Sequence, residues 1–451
     1  MDGDKFFVIS WGNTESRYNP NYHRGLGYSL VGWEKLGRVA TVKGGKRIPL
    51  GQTYANDDTG LHYLRVDNIG ANGVIAGEIK WLTESTYKTL ERYRIFSGDV
   101  LISIAGSIGR IAVFDETNTG APTILTENCA KLHIGKAVLP EYLMLLLLSR
   151  PLQMQMARDY IQTTIPKLGL DRIRQLRLPP IPKLTEQVKV IAAWHLAGKR
   201  FIDANRKTAQ LLKSIDDHLI AELDITMPPE PENTLASRIF TAQRRELAGW
   251  RFDPQALHPE REACIAELHR RPFHPLRKAA SFCRDLRTEI PEGAIYVGLE
   301  NIESNTGRYM PSNDKESVSS AFAFRKGQVL FPKLRPYLNK VFLAPFDGLC
   351  STEFHVLEGI TIRSEFLALF LRSNLVVKQT KHLMSGNTLP RLQTEDIQTL
   401  LIPEVDDLVQ QRIVGKAENW MAEAERLRSK AQTELEAAKR RIEAMLLGEP
   451  A

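Results

Sequence analysis

Two halves of this chain repeat each other. The segment TIPKL at 164–168 returns as TLPRL at 388–392, 224 positions later (388 − 164). Nearer the start of each copy the spacing widens, as loops of unequal length require. GDVL at 98–101 matches GQVL at 327–330, YLRVDNI at 63–69 matches YVGLENI at 296–302, and RYNP at 17–20 matches RFDP at 251–254. A repeat of about half the chain predicts two complete domains, because solenoid repeats are only about 20–50 residues long.

Further matches align single polar residues between the copies. TEQV at 185–188 is echoed by LVQQ at 408–411, which pairs Gln187 with Gln411. Thr-Glu pairs align Glu127 with Glu353. For these two carboxylates we expect buried positions that cap backbone amides, because buried polar groups need hydrogen-bond partners.

The local patterns predict an α+β fold. Short apolar runs punctuated by Gly98, Gly106 and Gly109 indicate strands joined by tight turns, and the run 142–148 indicates a buried helix. After PPIP at 179–182, a proline-free stretch to about 223 has apolar residues at helical spacing. These residues are Ala209, Leu212, Ile215, Leu219 and Leu223.

A second long helix closes the chain, and its apolar positions step mostly by three and four as in a coiled coil. The positions are Ala417, Trp420, Ala424, Leu427, Ala431, Leu435, Ala438, Ile442 and Met445. Because the two helices occupy equivalent places in the repeat, we expect them to pair as an antiparallel coiled coil. The alternative is that each helix packs only on its own domain.

The resulting domain prediction has five segments. They are a first globular domain at 1–182, a spacer helix at 183–225, a linker with the start of the second repeat at 226–250, a second globular domain at 251–403, and a second spacer helix at 404–447.

Composition favours an acidic partner and an intracellular setting. The formal net charge is +7 over 451 residues, which modestly favours nucleic acid. The four cysteines occur singly, with no CxxC pair, and we see no secretory signal. No apolar stretch is long enough to span a bilayer. We therefore expect a cytoplasmic protein that contacts no membrane.

Sequence patterns for catalysis are weak. KGGKR at 43–47 lacks the spacing of a phosphate-binding loop and the hydroxyl residue after its lysine. NPNY at 19–22 superficially resembles an amino-methyltransferase motif, but no glycine-rich cofactor loop precedes it. No metal-ligand spacing and no Ser-His-Asp grouping recurs in both copies. The sequence thus favours binding over chemistry, with neither a catalytic nor a metal site expected.

Candidate DNA contacts are basic and polar residues on loops, because such side chains bind phosphates and read base edges. In the first copy they are Lys43, Lys46, Arg47, Arg65, Asn68, Ser107, Arg110 and Lys167. In the second copy they are Lys333, Arg335, Tyr337, Asn339, Lys340 and Arg391. The cluster 333–340 is the strongest positive segment.

At these motifs the chain resembles the specificity subunit of Type I restriction-modification systems (the HsdS family). The resemblance rests on GDVLIS at 98–103 with GSIGR at 106–110, on LRPYL at 334–338, and on PPIPKLTEQ at 179–187, which leads into the long helix. PEVDDLVQQ at 403–411 departs from the last motif, since it lacks the proline pair, and this leaves the start of the second helix open.

The resemblance implies two target-recognition domains that each read half of a split DNA site, on a helical spacer that docks methyltransferase subunits, two being expected. It implies a non-catalytic chain that holds no cofactor itself, with S-adenosylmethionine, ATP and Mg in methyltransferase and restriction (translocase) partners. Two alternatives remain. One is the specificity subunit of a Type II-like system with a fused nuclease-methyltransferase, and the other is a coiled-coil assembly scaffold that reads no DNA.

Overall fold

The computed structural model describes residues 30–449, except 71, 72, 74, 76, 160–166, 230–233, 235–238, 242–253, 292, 312–318 and 387. The predicted turn at 17–20, the first three residues of its counterpart at 251–254, and most of the segment 226–250 lie outside the described residues. The chain divides into two compact units. Unit 1 is Met1–Ile202 with Ala431–Ala451, and unit 2 is Asp203–Lys430.

The described residues of unit 1 form ten strands and several helices. The strands are β1 Glu34–Lys35, β2 Ala40–Gly44, β3 His62–Leu64, β4 Lys80–Trp81, β5 Arg94–Ile95, β6 Val100–Ser103, β7 Ile111–Val113, β8 Thr123–Leu125, β9 Cys129–Ile134 and β10 Arg177–Leu178. The helices are α1 Leu36–Val39, α2 Glu84–Leu90, α3 Glu116–Thr119, α4 Pro140–Leu148, α5 Arg150–Asp159, α6 Leu170–Gln175 and the first part of α7 Leu184–Glu222.

Two four-stranded sheets form the body of unit 1. One is antiparallel with the order β2-β9-β6-β7, and the other has the order β4-β3-β8-β5 with β3 parallel to β8. Helix α4 begins with proline at its first turn, where a missing N–H costs nothing. Its residues 142–147 are all buried, as the sequence predicts, and they join the core of the first sheet.

Unit 2 repeats this design. Its strands are β11 Phe273–Pro275, β12 Ala280–Cys283, β13 Leu286–Arg287, β14 Tyr296–Val297, β15 Ala321–Phe324, β16 Val329–Pro332, β17 Phe342–Leu343, β18 Gly348–Cys350, β19 Phe354–Gly359 and β20 Leu401–Pro403. Its helices are α8 Pro259–Leu268, α9 Leu276–Ala279, α10 Ser364–Leu371, α11 Asn374–Thr380, α12 Thr394–Gln398 and the first part of α13 Asp407–Leu447.

The sheets of the two units share one topology and differ at one edge. The order β12-β19-β16-β17 reproduces β2-β9-β6-β7 strand for strand. In the other sheet, β14-β18-β15 reproduces β3-β8-β5, including the parallel pair. Unit 1 adds β4 beside β3, whereas unit 2 adds β13 beside β15, at the opposite edge. The duplication therefore covers the core, and the units diverge at the sheet edges.

Each unit contains one portion of both long helices. In unit 1, Val190 of α7 shares a buried cluster with Ile442 and Leu446 of α13. In unit 2, Leu219 near the end of α7 shares a cluster with Ile413 near the start of α13. The start of one helix thus packs beside the end of the other in both units, which confirms antiparallel pairing.

The sequence predicted the inward-facing apolar positions of α13 correctly, but one of those predicted for α7 is wrong. All nine predicted positions of α13 are buried or half-buried. On α7 the prediction is wrong at Ala209, which is exposed, whereas Thr208 is buried and donates its hydroxyl to the Ala424 carbonyl at 3.5 Å. The threonine can face inward because its one polar group finds an acceptor.

The structure corrects the alignment of the helix starts. Buried Gln187 accepts from the Leu139 N–H at 2.8 Å, and buried Gln410 accepts in the same way from the Arg363 N–H at 2.9 Å. Gln411 is exposed. The counterpart of Gln187 is therefore Gln410, not Gln411, because three residues separate Pro403 from the start of α13, whereas four separate Pro179 from the start of α7.

No helix in the described part of the chain has both the length and the apolar character of a membrane span.

Candidate nucleic-acid interface

In unit 1, three loops meet at the end of strand β6. The chain turns at Gly106 and Gly109, whose φ angles of 73° and 83° suit glycine. The Ile104 N–H donates to the Asn128 carbonyl at 2.8 Å, and the Leu168 N–H donates to the Ile104 carbonyl at 2.9 Å. These bonds hold together the loop after β6, the turn before β9 and the segment that leads into α6.

A cleft of about 850 Å³ opens between these loops and the chain that follows β2. Four of the predicted DNA contacts line it: Arg47, Arg65, Ser107 and Lys167. Further lining groups include two carboxylates and two aromatic rings, those of Asp67, Glu127, Tyr54 and Tyr63. The cleft thus combines cations, hydrogen-bonding groups and aromatic surface.

Arg47 and Glu127 form an ion pair at this cleft. The Arg47 Nε donates to Glu127 Oε1 at 2.8 Å, and the Thr126 hydroxyl donates to Glu127 Oε2 at 2.9 Å. Burial raises the pKa of the Glu127 carboxyl, but the hydrogen bonds from Arg47 and Thr126 outweigh it and hold the pKa below its ordinary value. The carboxylate is therefore ionised at neutral pH. Tyr63, whose hydroxyl donates to the Lys46 carbonyl at 2.8 Å, packs beside it.

The other predicted contacts of unit 1 differ in exposure. Lys43 on β2 and Lys46 just after it are exposed, and Lys46 directly precedes Arg47. Arg110 is half-buried, and its Nη1 donates to the Ile69 carbonyl at 3.3 Å.

Asn68 lies in the interior with only 1% of its surface exposed. Its side-chain oxygen accepts from the Arg65 N–H at 2.9 Å, and its amide donates to the Glu78 carbonyl at 3.2 Å. Asn301 makes the same two bonds in unit 2, to the Gly298 N–H and the Met310 carbonyl. The matching asparagines therefore fix one 3₁₀ turn in each unit.

Unit 2 joins its loops with the same backbone bonds. The Lys333 N–H donates to the Glu353 carbonyl at 2.8 Å, and the Leu392 N–H donates to the Lys333 carbonyl at 3.0 Å. Isolated bridges pair Ala105 with Lys167 in unit 1 and Leu334 with Arg391 in unit 2. Lys167 and Arg391, the basic residues of the two repeated segments, thus lie at equivalent loop junctions.

Arg335 adopts a left-handed backbone conformation. Its φ is 48°, and Gly106, the residue 229 positions earlier (335 − 106), has φ 73°. The Arg335 N–H donates to the Pro390 carbonyl at 2.8 Å, and its side chain is exposed. A non-glycine residue in this region costs about 1 kcal/mol. Unit 2 thus carries an arginine where the backbone favours glycine.

Arg391 pairs with Glu353 through two nitrogens. Its Nε donates to Glu353 Oε2 at 3.1 Å and its Nη2 donates to Oε1 at 2.9 Å. This hydrogen bonding raises the pKa of Arg391 above its ordinary value. The pair fastens the TLPRL segment to the turn before β19.

Most of the remaining predicted contact residues of unit 2 are buried or form hydrogen bonds within the protein. Burial lowers the pKa of Lys333, although the nearby Glu353 opposes this shift. Lys340 Nζ donates to the Leu299 carbonyl at 2.8 Å. Asn339 is buried, and its amide donates to the Arg372 carbonyl at 2.7 Å. Tyr337 is exposed.

Sequence reasoning missed the partners of the basic residues. The main partners of Glu127 and Glu353 are arginines rather than the predicted backbone amides. The two glutamates are also not equivalent by register. Ser103 at the end of β6 pairs with Cys129, and Pro332 at the end of β16 pairs with Phe354, which aligns Glu353 with Asn128. The Thr-Glu pair that occurs in both copies was the sequence feature that could have pointed to these two glutamates.

One group of side chains in unit 2 has metal-binding residue types. Donor atoms of His258, Glu260 and His382 lie within 4.8 Å of one another. The two imidazole rings stack 3.7 Å apart at an angle of 8°, so one ion cannot lie in both ring planes. Lys381 Nζ already contacts Glu260 Oε2 at 2.8 Å. This arrangement fits a charge-neutralised carboxylate better than a metal centre.

Comparison with known proteins gives three kinds of match. Residues 31–213 match the family model of the Type I restriction modification DNA specificity domain. A segment of 144 residues is 28% identical to the Type I restriction enzyme EcoDI specificity subunit of Escherichia coli. That match covers 31% of this chain and 32% of the relative, so it spans about a third of the relative's length.

Solved structures match over most of the chain. A chain from a structure of a type I R-M system, described for its complex assembly and conformational transition, has a TM-score of 0.51 at 17% identity. The match covers 93% of this chain and 98% of that one. The S subunit of M. genitalium has a TM-score of 0.45 at 12% identity, with 93% and 96% covered. Residues 31–213 thus match the Type I restriction modification DNA specificity domain, part of the chain is similar to the E. coli specificity subunit, and the chain shares its fold with the type I R-M chain that has a TM-score of 0.51.

Proposed function

We propose that this chain is the non-catalytic DNA-reading subunit of a Type I restriction-modification complex, with each unit reading one half of a bipartite site. The family model over 31–213 and the two-unit fold support this proposal. Two similar domains with unlike loops suit two different half-sites, since base identity is read by loop side chains while phosphate contacts position the protein.

The observation that carries the proposal is the loop junction shared by the two units. At the same place in the repeat, unit 1 presents Arg47, Ser107 and Lys167, and unit 2 presents Arg335 and Arg391. The backbone scaffold is the same, and Lys167 and Arg391 occupy equivalent positions, but Arg335 stands where unit 1 has Gly106. Two units with the same backbone and different polar side chains are suited to reading two different DNA half-sites.

We propose that two methyltransferase subunits dock on equivalent starts of the long helices. Leu184, the first residue of α7, is 45% exposed, and Leu408, the second residue of α13, is 79% exposed. Val188 and Ile202 are also exposed and lie within about 40° of Leu184 around the axis of α7. Exposed apolar residues aligned on one helix face suit a protein partner.

The remaining parts of the proposal concern cofactors and setting. S-adenosylmethionine, ATP and Mg would be held by the methyltransferase and restriction subunits, and adenine extrusion would be the methyltransferase's task. We place the complex in the cytoplasm, where chromosomal and invading DNA are accessible.

The test is single-molecule mapping of modified adenines in cells that express the candidate methyltransferase with and without this chain. We expect a motif of two short blocks around a fixed unspecified gap, present only with the chain. Modification that is identical in both strains, or a motif with a single uninterrupted block, would overturn the proposal.

A further inference from the structure

Arg47 is unusual among the cations of the cleft because it is both exposed and held in place. Its side chain is 80% exposed, yet its Nε is fixed by Glu127 Oε1 at 2.8 Å. Among the described residues, its two terminal nitrogens have no hydrogen-bond partner. The Nε atom therefore orients the guanidinium, and the two terminal nitrogens remain available to a ligand.

Glu127 is itself anchored. It occupies the turn between β8 and β9, and the buried Thr126 donates its hydroxyl to Glu127 Oε2 at 2.9 Å. The half-buried carboxylate thus has one oxygen assigned to Thr126 and one to Arg47. A side chain that is ordered before binding loses less conformational entropy when it binds.

The charge balance of the pair favours a base edge over a phosphate. A carboxylate 2.8 Å from the guanidinium offsets much of its attraction for a phosphate anion. It does not remove the directed N–H donors at the tip. Two parallel donors match the O6 and N7 acceptors that guanine presents in the major groove.

Arg391 provides an internal contrast. Two of its nitrogens, Nε and Nη2, donate hydrogen bonds to Glu353, and its side chain is only 42% exposed. That geometry fastens a loop, whereas the geometry of Arg47 leaves the tip of the guanidinium for a ligand.

We propose that Arg47, positioned by Glu127, reads a guanine in the half-site bound by unit 1. This inference rests on the proposed function. Arg47 is then a specificity-determining residue and Glu127 a positioning residue. Lys167 lines the same cleft, is exposed and has no carboxylate partner in the described part of the chain, and it contacts phosphate.

The experiment selects bound duplexes from a randomised DNA pool with the full chain in complex with its methyltransferase. Wild type is compared with Arg47→Ala, Arg47→Lys, Glu127→Gln and Lys167→Ala. We expect Arg47→Ala to reduce the preference for one G·C pair in one block about tenfold to a hundredfold and to leave the other block unchanged. Arg47→Lys and Glu127→Gln should reduce the preference at that same pair less.

Salt dependence provides the second readout. We expect Lys167→Ala to weaken binding evenly across sequences and to reduce the slope of log affinity against log salt by about one, which Arg47→Ala should not do. Melting temperatures check that each variant is folded. An unchanged motif for Arg47→Ala, with a reduced slope, would make Arg47 a phosphate contact and overturn the inference. No motif for wild type would overturn the proposed function and the inference with it.

Discussion

At the scale of single residues, the loop junction of unit 2 holds its strongest candidate contact in a strained conformation. Arg335 has φ 48°, and the equivalent Gly106 of unit 1 has φ 73°. Among the described residues, the Arg335 side chain makes a single hydrogen bond, from Nη2 to the Thr388 carbonyl, and at 3.5 Å in an exposed position this bond is too weak to offset the strain. Such strain often persists where a side chain serves function rather than stability.

Replacing Arg335 with glycine should therefore separate stability from binding. We expect Arg335→Gly to raise the free energy of unfolding by up to about 1 kcal/mol, because glycine adopts positive φ without strain. The same change should weaken DNA binding at least about fivefold. Chemical denaturation and a DNA titration measure the two effects.

Asn339→Gly is the matched control. Asn339 also has positive φ, at 51°, but its buried amide bonds Arg372, so this variant should lose stability. A destabilised Arg335→Gly chain with full DNA affinity would contradict the prediction on both counts.

At the scale of elements, the long helices hold the domains by polar contacts as well as apolar ones. In unit 1, Glu443 of α13 accepts from the Arg150 N–H at the start of α5, at 2.6 Å. In unit 2, Asp216 of α7 accepts from the Asn374 N–H at the start of α11, at 3.0 Å. A carboxylate at a helix N-terminus is favourable because it satisfies unpaired N–H groups and the helix dipole. The closing part of each long helix therefore caps an equivalent domain helix.

The two neighbouring glutamines at the start of α13 should behave very differently. The Gln410 side chain is buried and bonds the Arg363 N–H and the Val405 carbonyl, whereas Gln411 is exposed. We expect Gln410→Ala to lower the free energy of unfolding by about 3 kcal/mol, because it leaves two backbone groups without partners. Gln411→Ala should change it by less than about 0.5 kcal/mol.

Denaturant unfolding of both variants measures the difference, and Gln187→Ala should reproduce the loss in unit 1. Equal effects of Gln410→Ala and Gln411→Ala would contradict the corrected alignment of the two helix starts.

The sequence predicts the elements that depend on local pattern, and it fails where distant segments meet. The duplication, the buried helix α4 and the seam of α13 follow from apolar spacing. The edge strands β4 and β13 do not, since each is two residues long and exists only through its neighbour. The basic residues at 47 and 391 stand out in sequence, but their glutamate partners lie 80 and 38 positions away. Loop packing decides such pairs, and no local period encodes it.

At the scale of the whole molecule, duplication implies duplicated docking. Each unit is built from a domain, the start of one long helix and the end of the other. The exposed leucines Leu184 and Leu408 lie at these two helix starts, as the first residue of α7 and the second residue of α13. A partner that recognises one helix start should therefore recognise the other, and the complex should hold two copies of that partner.

The stoichiometry of the methyltransferase should fall in steps when these leucines are made charged. Burying one leucine contributes about 1.5–3 kcal/mol, and a buried unpaired carboxylate costs more, so each substitution should release one partner. Native mass spectrometry should give two methyltransferase subunits for wild type, one each for Leu184→Asp and Leu408→Asp, and none for the double variant. Lys199→Ala, an exposed change on the same helix, should keep both. Two bound subunits in either single variant would place the docking surface elsewhere, whereas loss of both from one substitution would mean that the sites are coupled.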